Sequence, residues 1–128
     1  MENIYPINIK HDDGTTESIY VEKVKNGIYK CLESCIFIDF IRYGCEIEVE
    51  EVNGKLNFLG LHKESPFKTF RYVWSKEIVE SNGCKKMKDQ IIRLGGFWEN
   101  AMGGLFIIHL PMNKAGELGN LFEILKAE

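Results

Sequence analysis

The alternation of apolar and polar residues over Gly44–Glu64 predicts a β-hairpin. Three glutamates alternate with Ile47 and Val49, and Asn53-Gly54 separates them from a second alternating stretch. Asn-Gly favours a two-residue hairpin turn because both of its residues adopt positive φ readily. Alternate strand residues point to the same side of a sheet, so the glutamates are expected to line one face. We call these three residues the acidic strip: Glu46, Glu48 and Glu50.

Further short stretches of strand-like residues, separated by glycine-containing turns, predict more strands in the N-terminal half. In one of them the alternation shifts phase at Val24. A meander of short strands is typical of a small barrel or a curved antiparallel sheet. The predicted strands are Ile4–Lys10, Glu17–Val24, Ile28–Leu32 and Phe67–Ser75.

The period changes in the C-terminal half. Apolar residues recur at steps of three and four over Glu77–Leu94, which predicts an amphipathic helix that begins properly near Ser81 and ends at Gly95-Gly96. Two short strands should follow, Phe97–Glu99 and Leu105–Leu110. A last helix is predicted over residues 114–127.

The fold class that these elements predict is α+β. A β-rich N-terminal half precedes a β-α-β-β-α half, and we expect one compact domain over residues 1–128 or two tightly packed lobes, 1–75 and 76–128. The segment Ile36–Tyr43 does not alternate, and it fits a short buried helical turn as well as a strand.

Composition excludes some classes of function. The chain has 128 residues and a net charge of −3, so the sequence gives no general attraction for nucleic acid. We interpret the basic cluster Lys85, Lys86 and Lys88 as a solvated helix face. The first 14 residues lack the apolar segment of a signal peptide and no stretch could span a bilayer, so we expect a cytoplasmic protein without a membrane partner.

Metal and cofactor motifs are missing from the sequence. In a cytoplasmic protein the four cysteines are expected to be reduced and buried, and their spacing lacks the matched pairs of a zinc site. The paired glycines do not form a phosphate-binding motif, so neither a metal nor a cofactor is expected. The histidines cannot be placed near a thiol from sequence, which leaves catalysis uncertain.

Two sets of residues are candidates for a site. The acidic strip could dock a cationic partner, with Trp98 as an apolar anchor and Glu99 beside it. The alternative is a cleft between the two halves that binds a small molecule or serves a small enzyme. Its polar residues would be Cys45, His62 and Arg71, together with Glu99.

Several short motifs resemble those of domain of unknown function family 4265, whose members are small bacterial cytosolic proteins. The resemblance covers about residues 18–125. The motifs are Ile19-Tyr20-Val21-Glu22, Gly27-Ile28-Tyr29, Tyr43-Gly44, Ser65 with Thr69-Phe70-Arg71-Tyr72, Leu94-Gly95-Gly96-Phe97-Trp98-Glu99 and Ile108-His109-Leu110-Pro111.

The chain departs from that family pattern at three positions. Ser34-Cys35-Ile36-Phe37, with the departure at Cys35, stands in place of a proline-containing motif of the family, Cys45 replaces an aspartate, and Pro66 replaces a glycine. The resemblance implies an accessory or immunity-type protein. Together with the acidic strip, it leads us to expect a non-enzymatic protein that binds a protein partner, in particular an immunity protein that neutralises a basic bacterial toxin domain.

Overall fold

The computed structural model describes residues 3–127, which divide into two units after Pro66. The predicted boundary after residue 75 therefore needs correction. The strand β6 (Phe67–Val73) belongs to the second unit, because it pairs with a later strand over seven residue pairs. The α+β fold class and the β-rich N-terminal half are confirmed.

The first unit is a closed five-stranded barrel in which each strand pairs with the next along the chain. Asn53 and Gly54 both have positive φ, at 53° and 79°, which confirms the two-residue hairpin turn. A register shift between Lys23 and Lys25 explains the change of phase at Val24. The strands are β1 (Ile4–Lys10), β2 (Thr16–Lys25), β3 (Ile28–Cys31), β4 (Glu46–Val52) and β5 (Lys55–Lys63).

Inward-facing residues of these strands fill the barrel with aliphatic side chains and cysteines. The barrel closes between β1 and β5, which run parallel and meet at one residue pair, Asn8 opposite Asn57. We call this junction the seam. The seam has one residue pair, whereas β1 and β2 are joined by seven.

The second unit is a three-stranded antiparallel sheet with helices packed on one face. Its strand order is β6-β8-β7, with β7 at Phe97–Ala101 and β8 at Leu105–Pro111. The helices are α1 (Lys76–Val79), α2 (Asn82–Arg93) and α3 (Leu118–Lys126), and a 3₁₀ segment over Met112–Glu117 precedes α3.

The amphipathic pattern of α2 correctly identified its buried face. Met87 and Ile91 pack with Phe106, Ile108 and Leu121 in the core of this unit. The predicted last helix is only partly confirmed, because its first turns are 3₁₀ and the α-helix begins at Leu118. No helix within residues 3–127 is long and apolar enough to cross a membrane.

Candidate functional site

The acidic strip lies on the outer wall of the barrel, as its alternation predicted. Ile47 and Val49 point inward and are buried, whereas Glu48 and Glu50 are exposed and Glu46 is half-buried. At Glu46 and Glu48 the strand is paired on both edges, with β3 and with β5, whereas at Glu50 it is paired with β5 alone.

The three glutamates differ in their neighbours. Glu46 lies opposite Lys30 on β3 and opposite Lys63 on β5, and opposite charges in cross-strand pairs attract each other. Glu48 lies opposite Ile28 and Gly60, and Glu50 lies opposite Asn57. The negative potential of the strip therefore comes mainly from Glu48 and Glu50.

A second surface lies on the connection between β3 and β4, which carries two exposed phenylalanines. Phe37 is 70% exposed and Phe40 is 54% exposed, with Asp39 between them. We call residues 36–40 the aromatic loop. This part of the ambiguous Ile36–Tyr43 segment is neither helix nor strand, and two of its backbone N–H groups donate to the side chain of Glu17.

Glu17 on β2 is the main anchor of the aromatic loop. Its carboxylate accepts hydrogen bonds from the backbone N–H groups of Ile36 at 2.6 Å and Phe37 at 3.1 Å. His11 Nε2 lies 3.0 Å from the same carboxylate, close enough for an ion pair but without the alignment of a hydrogen bond. The imidazole of His11 also meets the Phe37 ring edge-on, with centroids 6.0 Å apart.

The base of the loop is held as well. Cys35 N–H donates to the carbonyl of Ile41 at 2.8 Å, and Tyr43 N–H donates to the hydroxyl of Ser34 at 2.9 Å. Ile41 is completely buried in the barrel core. The exposed phenylalanines are therefore carried on a backbone that is fixed before any partner arrives.

We expect the replacement of Glu17 by alanine to loosen the aromatic loop. Hydrogen bonds to a charged acceptor contribute about 1.5–3 kcal/mol each, so the amides of Ile36 and Phe37 should exchange with solvent about 10- to 100-fold faster. Hydrogen-exchange NMR measures this directly. Glu22→Ala on the same strand is the control, and equal exchange in the two variants would contradict the anchoring role.

Three cysteines lie in the barrel interior, where Cys31 and Cys45 are hydrogen-bonded to each other. This bond raises the pKa of the Cys31 thiol, and burial raises that pKa further. The same bond lowers the pKa of Cys45. The positive φ of Gly44, 88°, helps the chain to turn Cys45 inward. Cys45 is completely buried and does not offer its thiol at an open surface.

A hydroxyl–imidazole–carboxylate network lies on the sheet of the second unit. His109 on β8 contacts Thr69 Oγ1 through Nδ1 at 2.9 Å and Glu99 Oε2 through Nε2 at 2.6 Å. A carboxylate only accepts, so Nε2 carries a proton, and a neutral imidazole can then accept from the Thr69 hydroxyl. The imidazole is 0% exposed, which keeps it from a substrate, and we assign the network to the interior.

The residues that the sequence grouped as candidate sites belong to both units. Trp98 stacks on Phe106 with centroids 5.8 Å apart, and the Lys88 ammonium lies 4.3 Å from the centroid of its ring. This half-buried position belongs to the helix-covered core, so Trp98 does not have the exposure expected of an anchor. The partner-binding role of Glu99 remains a prediction.

The alternative cleft residues lie in both units. His62 is exposed on β5 and Cys45 is inside the barrel, whereas Arg71 is on β6 of the second unit. The buried position of Cys45 does not favour a role in a shared cleft with His62. Within residues 3–127 no group of three or more histidine, cysteine, aspartate or glutamate side chains is placed to hold a metal ion.

Charge is distributed unevenly between the units. Residues 1–66 contain twelve acidic and seven basic side chains, a net charge of −5, and residues 67–128 contain seven acidic and nine basic side chains, a net charge of +2. The overall value of −3 hides this difference. The acidic strip and the aromatic loop both belong to the negative unit.

Comparison with known proteins adds a fold relationship. No family model matches the sequence, and the curated proteins include no match to it. The resemblance to family 4265 thus stays a prediction. The fold is similar to that of a hypothetical protein from Neisseria gonorrhoeae, with a TM-score of 0.58 and 15% identity over 97% of this chain and 84% of that chain.

Proposed function

We propose that this protein is a non-enzymatic binding protein whose barrel docks a basic partner protein. The observation that carries the proposal is the charge of the first unit, −5, with Glu48 and Glu50 exposed on a rigid strand and without a basic residue opposite them. Complementary charge accelerates association and discriminates against wrong partners. A toxin domain neutralised by this protein is the kind of partner that we propose.

The pairing of β4 supports this use of the strip. Both glutamates lie on a paired strand, Glu48 between β3 and β5 and Glu50 beside β5, so that little backbone ordering is needed when a partner binds. Charges at the rim of an interface affect the rate of association more than the rate of dissociation. The proposal therefore concerns the speed and specificity of partner capture.

Charge reversal of the strip is the decisive experiment. The tagged protein would first be used to isolate a stoichiometric partner from its native cells, and the partner would then be purified. We expect Glu48→Lys/Glu50→Lys to slow association with it by about 10-fold or more at low salt and to flatten the salt dependence. Stopped-flow or surface-plasmon kinetics would measure both effects.

A matched control separates local from global charge effects. Glu77 and Glu80 are exposed in the second unit, and Glu77→Lys/Glu80→Lys changes the net charge by the same amount. Equal slowing by the two double variants would refute the role of the strip. Failure to find any stoichiometric basic partner would refute the proposed function. A partner that arrests growth unless this protein is co-expressed would support the toxin assignment.

A further inference from the structure

The aromatic loop is bordered by open grooves on both sides of Phe37. One has a volume of about 530 Å³ and is walled by Phe37, Phe40 and Phe58, with Asp12 and Asp39 at its edges. The other, about 610 Å³, runs from Phe37 along the turn between β1 and β2. Three aromatic rings and two carboxylates therefore meet in the first groove, which we call the aromatic groove.

Its electrostatics favour a cation. The carboxylates of Asp12 and Asp39 are exposed, and within residues 3–127 neither forms a hydrogen bond or an ion pair. Lys10 also lines the groove and partly offsets this charge. Asp13 lies outside this groove, and its hydrogen bonds to Thr15 hold the pKa of its carboxyl below the usual value, so it adds a further negative charge nearby.

The pairing of rings with carboxylates selects a particular cation. A guanidinium group is planar, so it can stack on an aromatic ring while its N–H groups reach carboxylates, and it is more weakly hydrated than an ammonium group. An anionic ligand would be repelled by the two aspartates. Among protein side chains, arginine therefore matches this groove best.

The loop is also prepared for binding. Glu17 fixes the backbone on which Phe37 is carried, and His11 packs against the edge of its ring. Pre-organisation reduces the entropy lost when a partner side chain is held. Such a groove differs from a flexible exposed loop, in which two phenylalanines would have to be ordered at the moment of binding.

We propose that the aromatic groove receives an arginine side chain of the basic partner, stacked on Phe37 or Phe40 and hydrogen-bonded to Asp12 or Asp39. This inference rests on the proposed function and identifies the contact that would hold the partner after it has docked. The acidic strip contributes long-range attraction, and the aromatic groove contributes the short-range contact that slows dissociation.

The test uses a defined probe and the full chain. A nine-residue peptide of glycine and serine with one central arginine would be titrated into the isotope-labelled protein and followed by NMR. We expect saturable shifts centred on the amides of residues 10–12 and 36–41. The same peptide with citrulline, an uncharged isostere of arginine, should bind about five- to tenfold more weakly. Equal shifts from the two peptides would overturn the proposal.

Substitutions locate the contact. Phe37→Leu and Phe40→Leu keep an apolar side chain but remove the ring, and at least one should weaken arginine-peptide binding about five- to tenfold. Leu59→Ala is the control, because Leu59 is an equally exposed apolar residue, 60%, on β5 of the same unit. Unchanged binding in both phenylalanine variants would overturn the proposal, with dispersed amide spectra showing that each variant is folded.

The two proposals fail in different ways. If the purified partner binds the Phe37→Leu/Phe40→Leu double variant as it binds the wild type, while charge reversal of Glu48 and Glu50 slows its association, the arginine groove is wrong and the proposed function stands. If no basic partner exists but the arginine peptide binds in the groove as described, the proposed function is wrong and the groove is a site for another arginine-containing ligand.

Discussion

Replacement of Gly83 by alanine is expected to lower the free energy of unfolding of the second unit by about 1–3 kcal/mol. A Cβ atom at this position would lie 2.1 Å from the carbonyl oxygen of Leu125, which is backbone and cannot rotate away. Helices α2 and α3 would have to separate, and Met87 and Leu121 would lose packing in the core between helices and sheet. Gly83 is the second residue of α2, so the gain in helix propensity is below the roughly 1 kcal/mol of a helix interior and is too small to compensate.

Urea denaturation monitored by tryptophan fluorescence would measure this loss. Both tryptophans, Trp74 and Trp98, pack on the core of the second unit, so their emission follows that unit. Gly119→Ala in α3 is the matched control, because nothing lies within 4 Å of its added Cβ. This control should raise the free energy of unfolding of the second unit by about 0.5–1 kcal/mol. Similar urea midpoints for the two variants would show that α2 and α3 can accommodate a Cβ atom at Gly83, which would contradict the prediction.

The second large effect is expected for His109→Leu, which should lower the free energy of unfolding of the same unit by about 2–4 kcal/mol. The substitution keeps an apolar volume between Phe67 and Phe97, whose rings flank the imidazole at 6.4 and 6.5 Å. However, it removes the hydrogen bonds that the imidazole forms with Thr69 and with Glu99. Glu99 is only half-buried, but a hydrogen bond to a charged carboxylate contributes more to stability than one between neutral groups.

The variant Thr69→Val distinguishes the two contacts of His109. It removes only the hydroxyl from Nδ1 and leaves the short contact of Nε2 with Glu99, so we expect a loss of about 1 kcal/mol. Urea denaturation of both variants, again followed by tryptophan emission, gives the comparison. A cost for His109→Leu no greater than that for Thr69→Val would mean that the contact with Glu99 contributes little stability.

Local patterns were sufficient to predict most of the fold. Alternation around Ile47 and Val49 and the Asn53-Gly54 turn placed the central hairpin, because strand faces and turn conformation depend on neighbouring residues. The four-residue spacing of Gly83, Met87 and Ile91 placed α2 and its buried face for the same reason.

The features that local patterns did not predict depend on contacts between residues that are far apart in the sequence. The conformation at Ile36 and Phe37 depends on Glu17, 19 and 20 residues earlier, and no local periodicity encodes that pairing. His109 meets Thr69 40 residues away, through the order β6-β8-β7. The unit boundary was misplaced similarly, since β6 continues from the barrel in sequence but pairs with β8.

The candidate site was predicted in part. The outward direction of Glu48 and Glu50 followed from alternation, whereas their difference from Glu46 depended on cross-strand neighbours that the sequence does not reveal. The exposed phenylalanines were missed because an apolar run suggests burial. The charged residue within it, Asp39, and the lack of any period were the available signals of a surface loop.

The seam gives the barrel a preferred place to open. Since β1 meets β5 at the single pair Asn8–Asn57, these two strands can part there with little loss of interstrand hydrogen bonding, while β1 keeps its seven pairs with β2. Opening exposes the free edges of β1 and β5, which are templates for another strand. An unpaired edge of one copy can pair with the same edge of a second copy, so the seam is where we expect self-association to begin at high concentration.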